Sequence, residues 1–102
     1  MSENKHKDMD STVEFNKVEI ENAEIDSVLR SVLNSLSVKG YNPIDQLTGY
    51  IMSGDPTYIT SYMGARAAIS NLDAYDVLNR LISVYSKHLG LDVIPANHRK
   101  NR

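Results

Sequence analysis

The sequence predicts an all-α fold of about five short helices. Three observations carry this. Apolar residues recur at spacings of three and four over most of the middle of the chain. Asparagine or aspartate stands directly before proline at Asn42-Pro43 and Asp55-Pro56. Glycine follows several of the periodic stretches, at Gly40, Gly54 and Gly90. The first is the signature of helices with one buried face, and the other two are start and stop signals.

Ile25, Leu29, Val32, Leu33 and Leu36 form the first stripe, with Asn22 as N-cap, Glu24 and Asp26 in the first turn and Gly40 as the stop. This predicts a helix over 23–38. The second helix starts with Asn42 as cap, Pro43 at the first helical position and Asp45 three residues after the cap. Its stripe is Ile44, Leu47, Thr48, Ile51 and Met52, and Ser53-Gly54 ends it. Asp55-Pro56 opens a single turn. "SYMGARAAISNL" reads as helix around Met63, Ala67, Ala68 and Ile69. Asp73 caps the last helix, whose apolar residues are Val77, Leu78, Leu81, Ile82, Tyr85 and Leu89, and Pro95 bars its continuation.

The ends read differently. Residues 1–17 hold few apolar side chains and mixed charge, which predicts a flexible N-terminal arm. Val13, Phe15, Val18 and Ile20 alternate well enough for a short strand or an extended arm docked by Phe15. The helical domain then spans 18–92 and a C-terminal tail 93–102. A core of this size is marginal on surface-to-volume grounds, and a partner chain would support it.

Several function classes are disfavoured. The 102 residues contain no cysteine, hence no disulfide framework or thiolate metal site, in keeping with a reducing cytoplasm. The N-terminus "MSENKHKDMD" lacks the apolar segment of a signal peptide, and no run approaches the ~20 apolar residues that span a bilayer. Between Val18 and Asp92, nine acids face five bases, a balance of −4. A nucleic-acid-binding face should be basic. The alternative, a nucleic-acid-binding module using Arg66 and the tail "HRKNR", therefore ranks second. His6, His88 and His98 never fall three or four apart, so no metal site is expected. Asp45 and Asp55 could pair as catalytic carboxylates, but helix capping already accounts for both. No Walker sequence, dinucleotide fingerprint or nucleophile elbow is present. No enzyme activity and no cofactor are expected. Tyr41, Tyr50, Tyr58 and Tyr62 cluster in sequence; they fit the edge of a core, ring inside and hydroxyl outside, or a protein-binding or dimer surface.

One long stretch is more specific. "KGYNPIDQLTGYIMSGDPTYI", followed by Tyr62 and Ala65-Arg66, resembles the IreB regulatory phosphoprotein family of low-GC Gram-positive bacteria. "STVEFN" resembles that family's Thr-x-x-Phe-Asn segment, and the resemblance covers roughly residues 11–90. It implies a non-enzymatic, cytoplasmic, all-helical homodimer. It also implies a membrane-anchored Ser/Thr kinase and a cognate phosphatase as partners, in envelope-stress signalling that governs tolerance of wall-active antibiotics. A further protein downstream is not named by the sequence. Two threonines of the family's N-terminal arm accept phosphate. The second corresponds to Thr12; the first falls on Met9, which has no hydroxyl, and Ser11 is the nearby substitute. The family's Arg-Lys pair and acidic run after Ala-Arg are replaced here by a region holding Ser70, Asn71, Ala74 and Tyr75.

Overall fold

A computed structural model describes the backbone of residues 2–91 and the side chains of residues 17–91. The tail at 93–102, with His98 and "HRKNR", lies outside the described residues, as do the side chains of His6, Met9, Ser11, Thr12 and Phe15. The described residues form four α-helices and two 3-10 turns, with no strand among them: α1 (Ser2–Val38), α2 (Pro43–Ser53), a 3-10 turn (Pro56–Tyr58), a second (Tyr62–Gly64), α3 (Ala65–Ser70) and α4 (Ala74–His88). The all-α expectation holds. The chain divides into two units, Met1–Leu72 and Asp73–Arg102.

In the first unit, α1 lays one stripe against α2 and α3. Ile25, Leu29, Val32 and Leu36, spaced by four, three and four, are buried, and Ser35 is buried beside them. Leu47 and Tyr50 from α2, Ile59 from the linker, and Ala65 and Ile69 from α3 complete the core. α1 stops by a double reversal of hydrogen bonding. The Gly40 N–H donates to the Ser37 carbonyl and the Tyr41 N–H to the Leu36 carbonyl, both at 2.9 Å. Gly40 takes φ +87°, which costs glycine nothing and a residue with a Cβ about 1–2 kcal/mol.

Three expectations are corrected here. α1 begins at Ser2, where a helix from 23 and a strand or extended arm over 13–20 were expected. Asn22 is thus an interior residue of the helix. Between Ser2 and Asn22 there is no glycine or proline to stop it, and Glu, Lys and Met sustain a helix well. Nor does helix run on through Met63. Met63 (φ 54°, ψ 29°) and Gly64 (φ 74°, ψ 14°) are both left-handed, so the chain turns there and α3 starts afresh at Ala65. On α2 the inward residues are Leu47 and Tyr50, while Ile44 and Met52 of the expected stripe face solvent.

The second unit contains α4. Asp73 accepts the Tyr75 N–H at 2.7 Å, Asp76 lies in the first turn, and Lys87 and His88 lie in the last. That charge order suits the helix dipole at both ends. Val77 is the buried residue of this helix. Tyr85 stacks on His88 one turn later, ring centroids 6.0 Å apart.

Candidate functional site

The segment between α2 and α3 carries Tyr58 and Tyr62 and is tied to Arg66 on α3, while Tyr50 lies on α2 and Tyr41 before it. Asn42 starts it upstream: its Oδ1 accepts the N–H groups of Ile44 and Asp45 at 3.0 and 3.1 Å. At the other end of α2, the Gly54 N–H donates to the Tyr50 carbonyl at 2.7 Å. Ser53 Oγ donates to the Gly49 carbonyl and accepts the Asp55 N–H, which passes the chain from helix to turn. Asp55 then caps the first 3-10 turn: Oδ1 accepts both the N–H and the hydroxyl of Thr57, at 3.0 and 2.7 Å.

Those two bonds, the backbone one first, hold the Asp55 carboxyl below its usual range, helped by the Arg66 charge and opposed by desolvation. The folded-state pKa is therefore below the unfolded one. Asp55 contributes stability above the unfolded value, and that contribution is lost as pH falls through the folded value. An Asp55→Asn variant should lose less of its thermal stability than the parent between pH 6 and pH 3; equal losses would remove this role for Asp55.

Two consecutive carbonyls are anchored, one from each flanking helix. Gln46 Nε2, on α2, donates to the Tyr58 carbonyl at 2.9 Å, and Arg66 Nε, on α3, donates to the Ile59 carbonyl at 2.8 Å. Between them Ile59 is fully buried. The Tyr58 ring lies across Gly49, where a Cβ would collide with three of its atoms. Gly49 is thus the seat of an aromatic ring. An isolated glycine inside a helical stripe is the sequence sign of such a close approach. Neither Gly49 nor Gln46 is among the sequence-predicted site residues.

The four tyrosines separate. Tyr50 is buried in the core at 8 % exposure, whereas Tyr41, Tyr58 and Tyr62 keep 51, 39 and 40 % of their surface open. Lys39 Nζ stands 5.1 Å from the Tyr62 ring centroid, a cation–π contact worth about 0.5–1 kcal/mol at an exposed place. Arg66, half-buried, has Nε committed to the linker, so part of its work is structural. Ser11 and Thr12 fall on the N-terminal part of α1, away from these residues in sequence.

What this arrangement can do chemically is limited. Asp45 and Asp55 sit at helix starts. Among the described residues no group of three His, Asp or Glu could hold a metal, and no helix is long and apolar enough to cross a membrane. The exposed aromatic and apolar side chains suit contact with proteins.

Comparison with known families gives a match between residues 10–87 and the family described as IreB regulatory phosphoprotein. The match covers most of the chain, so the chain belongs to that family. It is a non-enzymatic regulatory phosphoprotein of Ser/Thr-kinase signalling.

Proposed function

We propose, with that family membership as premise, that the chain is a cytoplasmic homodimer switched by phosphate on Thr12, with Ser11 the alternative acceptor. The kinase is the membrane-anchored enzyme of envelope-stress signalling, and a cognate phosphatase removes the mark. Tyr41, Tyr58, Tyr62 and the outer part of Arg66 form the face that a downstream protein reads.

One observation supports the reading of Thr12 as the switch. Residues 17–21, 23 and 24 of α1 are exposed, and the first buried residue is Ile25. Thr12 is thirteen residues earlier, about 20 Å along a helix at 1.5 Å per residue. A kinase can reach a hydroxyl at that distance without disturbing the core. Electrostatics agree. A phosphate adds about −1.5 to −2 charges beside Asp8, Asp10 and Glu14, and the body over 18–92 is already at −4. Phosphorylation thus sharpens an acidic signal for another protein to read.

The direct test is peptide mapping by mass spectrometry after treatment of the full chain with a cognate kinase. Phosphate within residues 11–12 is the expected result. Phosphate confined to other positions overturns the assignment.

A further inference from the structure

α4 carries two apolar stripes, and one of them is open. Tyr75, Leu78, Ile82, Tyr85 and Leu89 are 65, 41, 56, 60 and 55 % exposed. Buried Val77 falls on another side of the helix, roughly 120° round from the centre of that stripe at 100° per residue. The open residues are spaced by three, four, three and four. That is the 3.5-residue period of a seam between paired helices. No charged residue interrupts the stripe: Asp76, Arg80 and Lys87 project from the far side, and Asn79, Leu81, Ser86 and His88 flank it. A patch of this kind on a helix marks an interaction surface.

The order of the side chains says what covers it. Counted from Ile82, Tyr75 and Leu89 lie seven residues either way, and Leu78 and Tyr85 lie four before and three after. A two-fold axis through Ile82, with a second α4 running antiparallel, sets Ile82 on its own copy, Leu78 against Tyr85 and Tyr75 against Leu89. Every off-axis pair then joins one ring to one aliphatic side chain. The two helix dipoles oppose, and the Lys87–His88 end of each helix lies beside the Asp76 end of the other. A parallel pair would instead set Tyr75 on Tyr75 and Tyr85 on Tyr85, with both basic ends together. An unrelated partner places no demand for symmetry on the stripe, whereas an isologous interface requires self-complementarity.

The structure assigns this stripe to a second copy of the same chain: α4 pairs with α4 of the partner, antiparallel, on a two-fold axis at Ile82. The assignment rests on the homodimer reading under Proposed function and says which surface makes the dimer.

The absence of cysteine makes the test clean. Single Ile82→Cys, Tyr75→Cys and Asp76→Cys variants of the full chain are mildly oxidised and run on a non-reducing gel. The mass of the unmodified chain in solution is measured over a range of concentrations. All three positions are exposed, so the substitutions leave the core alone. Ile82→Cys should convert most of the chain to a covalent dimer, because the axis brings the two thiols within disulfide reach. Tyr75→Cys and Asp76→Cys should stay largely unlinked. The double variant Tyr75→Cys with Leu89→Cys should link. A dimer in which Ile82→Cys fails to link, or Tyr75→Cys links to itself, overturns the seam and leaves the homodimer standing. A chain that is monomeric at every concentration overturns both, and leaves the stripe to the segment after Leu91 or to a different protein.

Discussion

Replacing Ile69 by alanine is expected to cost about 2–5 kcal/mol, the range for a large aliphatic residue cut back inside a packed core. Ile69 is fully buried on the six-residue helix α3, which packs on α1. A helix that short has almost no stability of its own, so its position depends on what it buries. Small domains hold only about 5–15 kcal/mol in total, so this one change removes a large fraction of the stability. Urea melts at fixed protein concentration measure it, since association would otherwise shift the midpoint. Met52→Ala is the control: Met52 is 80 % exposed, and its loss should stay within about 0.5 kcal/mol. If the two variants melt together, Ile69 does not hold the core.

Thr12→Ala should remove most of the phosphate that a cognate kinase transfers, with any remainder on Ser11. Met9→Thr should raise incorporation towards two phosphates per chain, if the family resemblance places a first acceptor at that position. The modified chain should also lose helix. Asp8 lies four residues before Thr12, one turn away on the same helical face, and like charges at that spacing destabilise by a few tenths of a kcal/mol each. Asp10 and Glu14 add to the local negative charge. Far-UV circular dichroism before and after kinase treatment reads this directly. Full incorporation into Thr12→Ala would move the switch to another residue, and unchanged ellipticity would detach it from the helical state of α1.

Helix boundaries are legible wherever they rest on local chemistry. Asn42-Pro43, Asp55-Pro56 and Asp73 each cap the element expected of them, and Gly40 and Gly54 stop theirs. A side-chain oxygen that reaches a backbone N–H two or three residues on needs nothing distant, so sequence alone reveals it. The start of α1 is not legible, because no cap marks it, and the alternation of Val13, Phe15, Val18 and Ile20 imitates a strand. The left-handed pair at Met63 and Gly64 is hidden because methionine favours helix everywhere else. Burial is the least legible. Tyr50 and Tyr58 read alike in sequence, yet one is in the core and the other lies across Gly49. On α4, Val77 and Ile82 read as one apolar face, although only the first is covered. Periodicity counts apolar residues on a face; which faces are covered depends on neighbours far away in sequence.

The linker between α2 and α3 is a fitted part of the frame. A glycine-serine spacer of equal length would still offer two carbonyls to Gln46 and Arg66. It would lack the ring that rests on Gly49 and the isoleucine that fills the space between the two anchors. The helices on either side would each keep their own contour and lose the setting of one against the other. Anyone shortening, tagging or grafting into this protein should therefore treat residues 55–61 as masonry and not as rope.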